Sequence, residues 1–231
     1  MRFLYILLFF TSFFTFSQFS KTHYIPPIVG VNGQPVQAQY LYISCPNPDP
    51  VAFTIQIFGG ETVNGTVSRD QPFEYQIGAG ENSPMHIGDF FVNQVLTNKG
   101  CIVEAEDQIY VALRLTATTQ NFQASGLVSK GLAAPGKQFR IGGFVNDLIP
   151  NLRDIDLTFV TILALENSTT VSFDDIKPGA ELLNDIGSGN EPQPIILNRG
   201  ESFSMAIKGP SLGNRNALIG ALIQSDKDIV T

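Results

Sequence analysis

The chain has 231 residues, enough for one large all-β domain or two domains of ordinary size, and 43% of them are hydrophobic against 15% charged. That composition builds a core and excludes a disordered tail. A net charge of −7, with the lysines and arginines scattered singly, argues against nucleic acid or an anionic membrane surface as partner, since both recruit clustered cations.

In chain order, "MRFLYILLFFTSFFTFSQ" opens with one positive charge at Arg2 followed by an apolar run. Thr15 and Ser17 place small side chains where a signal peptidase pocket needs them, before Gln18. Residues 1–17 therefore read as a secretory signal peptide, and the mature chain as extracellular or on the outer cell surface. No later segment is long and apolar enough to span a membrane. The cysteines, Cys45 and Cys101, suit an oxidising compartment and leave two readings open: a disulfide between them, or two buried free thiols.

"QYLYIS" (39–44) and "VAFTIQI" (51–57) alternate like strands around the turn "CPNPDP". "GGETVNGTVS" contains Asn64-Gly65, a hairpin signal. "FEYQIGAGENSPMHI" reads as strand, turn and strand. Beyond it, "GKQFRIGGFV" (136–145) adds further strand character to the same unit. "TFVTILALE" turns at "NSTT" and returns as "TVSFDDI", and "PIILNRGESFSMAI" is another strand pair. Helical signal is nearly absent, with only a weak turn of helix at "GAELLNDIG".

Sliding the chain by 120 residues aligns 40–111 with 160–231, and 14 of the 72 pairs are identical without a gap. Val51 and Phe53 fall on Val171 and Phe173, Asn47 on Asn167, and "GENSPMHI" (80–87) on "GESFSMAI" (200–207). The expected fold is all-β, with two tandem β-sandwich-like domains related by an internal duplication. Copy one is expected over 18–155, and copy two over 156–231 is expected to be truncated, ending on an unpaired strand.

"FSKTHYIPP" (19–27), "GLVSKG" (126–131) and "GKQFRIGGFV" resemble the N-terminal region of large surface proteins of gliding bacteria. Those proteins carry a gliding-motility-associated C-terminal domain for type IX secretion. The repeated unit, with "GESFSM" before a strand and "SDKDIVT" near its end, is similar to the IgGFc-binding-protein N-terminal domain. The resemblance implies a cell-surface β-rich module with no catalytic signature.

The residues themselves offer little chemistry. Only His23 and His86 could serve a nucleophile as base, and neither stands in a motif. Glu74, Glu104, Asp154 and Asp156 are the carboxylates available for glycoside hydrolysis, which needs two. "GAG" (78–80) and "GSG" (187–189) lack a following helix, and "RDID" (153–156) and Asp174-Asp175 lack a calcium-loop pattern. Asn64-Gly-Thr and Asn167-Ser-Thr read as turns. "EAED" (104–107) looks like a metal or catalytic cluster, but its counterpart "QSDK" (224–227) replaces one carboxylate with an amide and another with a cation. It reads as a solvated turn between paired strands. No catalytic, cofactor-binding or metal residue is assigned. The expected function is non-enzymatic: an adhesive, matrix or spacer module for an unidentified surface glycan or protein, with a link to gliding or surface attachment. A carbohydrate-binding module, or an accessory region of a glycoside hydrolase, is the alternative.

Overall fold

The alternating pattern folds, in a computed structural model, into short strands joined by turns, with two brief 3-10 turns and no α-helix among the described residues. Those residues are 18–30, 37–116, 125–143, 158–184, 192–208, 214 and 216–231. The signal-type segment, Asp154, Asp156, "GSG" and the 155/156 division lie outside them.

The first half contributes β1 (Ser20–Ile25), β2 (Ile28–Gly30), β3 (Ala38–Ser44), β4 (Val51–Ile57), β5 (Thr62–Val67), β6 (Phe73–Gly78), β7 (His86–Gly88), β8 (Val95–Leu96), β9 (Cys101–Thr116) and β10 (Ser125–Val128). The second contributes β11 (Gly136–Arg140), β12 (Phe159–Ala164), β13 (Thr169–Asp174), β14 (Ile195–Leu197), β15 (Ser202–Ala206) and β16 (Leu222–Val230).

β9 organises the first sheet. Its N-terminal part, Cys101–Ala105, lies between β1 and β4, and its C-terminal part, from Ala112 onward, between β3 and β10. One strand thus belongs to two layers, as in sandwiches whose strands switch sheets. Cys101, Val103, Ile109, Val111, Leu113 and Leu115 point inward into one core with Leu41, Ile43, Phe53, Ile55 and Ile77. The Phe53 and Phe73 rings meet edge to face at 4.9 Å across that core.

β3 and β4 do not form a hairpin. Both run antiparallel to β9 and follow one another along it. Pro46, Pro48 and Pro50 lack N–H groups, so "CPNPDP" cannot continue the ladder and loops out instead. Asn47 Oδ1 accepts from the Asp49 amide (3.0 Å), and Arg69 clamps the Pro46 carbonyl through Nε and Nη2 at 3.0 and 2.7 Å. Leu165, Glu166, Asn167 and Ser168 likewise separate β12 and β13, which run in the same direction along β16.

The second sheet repeats the first. Reading across, β5-β4-β9-β3-β6 becomes β14-β13-β16-β12-β15. β1 joins β9 with an irregularity between Ser20 and Thr22, and β11 joins β16 with one between Gly136 and Gln138. Ser20 faces Ile109 there, as Gly136 faces Ile229.

The pairing also corrects the ungapped alignment. Phe53 faces Ala105, but it is Val171 that faces Ser225, so β13 is displaced two residues relative to β4. The chain loops out six residues between β3 and β4 and four between β12 and β13. An even shift preserves which face each side chain occupies, so the pattern survives. "GESFSMAI" corresponds to β6 and its approach, not to "GENSPMHI": Ile43 faces Phe73 and Ile162 faces Phe203.

Three further expectations change. β11 was read with the first copy, but it pairs with β16, and Ile141 joins the second core. β16 is an interior strand flanked by β11, β12 and β13 rather than an unpaired edge. "GAELLN" (179–184), the described part of the weak helical segment, forms turns and a single bridge from Leu182 to Ile207.

The two sheets are joined. β8, from the first half, adds to the edge of the second sheet by pairing with β15, Val95 opposite Phe203 and Leu96 opposite Ser202. The Asn93 amide donates to the Ser204 carbonyl at 2.8 Å. Val29, Ile87 and Val92 pack with Ala206 in a small apolar cluster. The Asn184 side chain donates to the Asp89 carbonyl at 2.6 Å.

Candidate functional site

The acidic stretch that reads as a turn is strand. Glu104–Asp107 lie inside β9, at the point where its neighbour changes from β4 to β3. Ladder pairing on that side stops after Ala105 and resumes at Tyr110. The gap in pairing explains why a strand interior tolerates so polar a run. Asp107 is used locally, accepting from Asn47 Nδ2 at 3.4 Å.

Glu104 and Glu106, two residues apart, point to the outer face. Across the sheet, Glu104 stands beside Thr54, and Thr54 beside Asn64. Thr54 Oγ1 donates to Asn64 Oδ1 at 2.8 Å, leaving the Asn64 amide nitrogen outward. Ala52, Phe53, Gly65 and Ala105 complete a groove of about 290 Å³. Gly65, opposite Phe53, faces the core beneath the groove: a Cβ there would come within 2.6 Å of the Phe53 ring and 3.2 Å of Phe73. Asn64-Gly65 therefore sits in mid-strand, while the β4–β5 hairpin turns at 58–61 with Gly59 at φ +69°.

Neither Glu104 nor Glu106 has a hydrogen-bond or ion-pair partner for its carboxylate among the described residues. The half-buried Tyr24 lies on the same face, since Thr22 faces Glu104 and Tyr24 faces Ile102. Burial pushes the Tyr24 phenol up, Arg199 of the second half pulls it down, and Glu104 adds to the rise. Two free carboxylates, an amide, a hydroxyl and a phenol thus share one open face, with a guanidinium nearby.

The second copy does not reproduce it. Glu104 corresponds to Gln224, and Glu106 to Asp226, whose Oδ1 accepts from the Thr170 amide at 2.7 Å. The registers place Pro194 where the first copy has Asn64. The exposed Glu104–Thr54–Asn64 set has no equivalent among the described residues of the second copy.

The other sequence candidates do not converge. Glu74 lies on β6, on the outer face of the other layer, where it bonds the Tyr42 hydroxyl. It cannot share a substrate with Glu104 as a carboxylate pair. Asp175 forms an ion pair with Arg140. Among the described residues, no group of three or more His, Cys, Asp or Glu is placed to hold a metal ion.

Both histidines are fully buried rather than at the surface. His23 fills the β1 irregularity, its Nε2 against the Ile109 carbonyl at 2.9 Å and that of Ser20 at 3.2 Å. Its counterpart in β11 is Phe139, as expected for a packing position. Burial lowers the pKa of both imidazoles.

A Cys45–Cys101 disulfide is not formed; both thiols are free and buried. Ser44 faces Tyr110, so Cys45 abuts the middle of β9, whereas Cys101 begins that strand. The separation along β9 is about 26 Å at ~3.3 Å per residue, and a disulfide needs Cα atoms within about 7 Å.

No family model, curated protein or solved structure matches this chain. The groove was not legible in advance because Ala52, Asn64 and Glu104 meet only through the pairing of three strands. The contrast between "EAED" and "QSDK" was its one sequence trace.

Proposed function

We propose that the chain is a non-enzymatic, β-rich module of the extracellular or outer cell surface with an adhesive and spacer role. The observation that carries this reading is β8, a strand of the first copy that closes the edge of the second sheet. A spacer must hold its parts at one angle, and a shared strand does so more firmly than a linker. The signal-type residues 1–17, and the turns similar to those of gliding-associated, IgGFc-binding-like surface proteins, support the same placement. What supports a non-catalytic reading is the dispersal of the acid–base groups: Glu74 and Glu104 on opposite layers, and both histidines inside.

A second, narrower reading is a carbohydrate-binding module, favoured by the first-copy groove. Carboxylates accept from sugar hydroxyls, while Asn and Thr both donate and accept. The test is retention of beads coated with the full mature chain on polysaccharide and protein surfaces, with glycan-array binding alongside. Adhesion without turnover supports the leading reading, and glycan-selective adhesion the narrower one. Release of new reducing ends would overturn both.

A further inference from the structure

His86 lies on β7, which pairs in parallel with β2 in a two-stranded ribbon, Ile28 opposite His86 and Gly30 opposite Gly88. The ribbon is the first copy's side of the junction. Ile87, the next residue, packs with Val29, Val92 and the second copy's Ala206. A few residues on, β8 pairs with β15.

The imidazole is fully buried and only half satisfied. Nδ1 lies 3.4 Å from the Glu81 carbonyl, so in the neutral ring Nδ1 carries the proton. Nε2 has no partner. It presses on Gly30, where a Cβ would come 2.4 Å from it, leaving no room for water on that side. Only glycine fits there.

The charged groups around the ring do not favour a cation consistently. Lys99 opposes it, while Glu81 and Asp89 favour it, and desolvation by burial outweighs them. The Lys99 Nζ also donates to the Ser83 carbonyl at 2.7 Å, the carbonyl that accepts from the His86 amide at 3.2 Å. β2 brings no titratable group to the contact, and the second copy brings Ala206 and Leu183.

We infer that His86 is an acid-sensitive latch on the junction between the two copies. Adding a proton at Nε2 creates a buried N–H with no acceptor among the described residues, beside an ammonium, against the backbone of Gly30. The ring escapes by separating β7 from β2, which pulls Ile87 from Ala206 and releases β8 from the second sheet. The latch is closed at neutral pH and loosens as the medium becomes acidic.

The test is hydrogen exchange on the full mature chain between pH 7.5 and 4.5, corrected for the intrinsic pH dependence of exchange. Expected is faster exchange in β2, β7 and β8 below the ordinary histidine range, rising by up to about tenfold per pH unit, the limit for one proton, with β9 and β16 still protected. His86→Phe keeps a ring of similar size and removes the titration, so its junction stays closed in acid; His86→Gln serves if His86→Phe does not fold. His23→Phe retains the acid step. The same acid step in both His86 variants would overturn the inference. So would its absence in the unsubstituted chain, or simultaneous loss of protection in β9 in the His23→Phe variant, where the acid sensitivity of the β1–β9 contact is removed.

Discussion

The Phe58 ring, on the β4–β5 turn of the first copy, lies against Gly200, on the β14–β15 turn of the second. A Cβ at Gly200 would come 2.5 Å from the ring, and its backbone φ is +83°. Both space and conformation select glycine there. Gly200→Ala is expected to lower stability by about 1–2 kcal/mol, the range for a side chain forced into left-handed backbone. Phe58→Ala combined with Gly200→Ala should cost less than the sum of the two, because the clash is gone. Denaturant unfolding of the four variants checks both statements.

The thiols provide an independent check on the fold. Cys45 and Cys101 are expected to react with a thiol reagent far more slowly in the folded chain than after unfolding, and reductant should leave the melting temperature unchanged. Cys101, whose thiol burial pushes well above its usual range, should be the slower of the two in native buffer. Thiol counting with and without denaturant, followed by peptide mapping, reads this out.

Acid should destabilise the first copy through His23. Burial lowers its folded-state pKa, so the unfolded chain binds the proton more readily. Its contribution is fully present above the ordinary histidine pKa of about 6.5 and declines as pH falls below it. His23→Phe, which copies Phe139, should flatten part of that decline. Thermal melts from pH 7.5 to 5 measure it, and an unchanged slope would contradict the assignment.

Much of the architecture was legible, and the reason lies in particular residues. Alternation at Leu41, Ile43, Phe53 and Ile55 marks strands, and the repeat survived because its two-residue shift between β4 and β13 keeps each face intact. Partner choice was not legible. Prolines at 46, 48 and 50 suggest a hairpin turn equally well as a loop between collinear strands, and only β9 distinguishes them. Asn64-Gly65 has hairpin chemistry, yet Gly65 is required by the Phe53 ring. "EAED" looked like a turn because its polarity comes from a gap in pairing, and that gap depends on strands more than forty residues away.

Gly65 bears on the core beneath the groove. Gly65→Val should strain the Phe53–Phe73 contact, costing about 1–3 kcal/mol as overpacking does. Asn64→Ala should affect ligand binding with a stability change within about 0.5–1 kcal/mol, as for an exposed polar contact. Comparing melts with binding for the pair separates core packing from the groove's polar wall.

The adhesive reading is tested most directly by retention of beads coated with the mature chain on a polysaccharide and protein surface panel, alongside the Glu104→Gln/Glu106→Gln/Asn64→Ala variant. At least about tenfold weaker retention of the variant on one surface, with an unchanged melting temperature, is the predicted result, corresponding to roughly 1.4 kcal/mol of lost binding. Failure of the unsubstituted chain to adhere to any surface, or equal retention of the variant on every surface, would contradict the account.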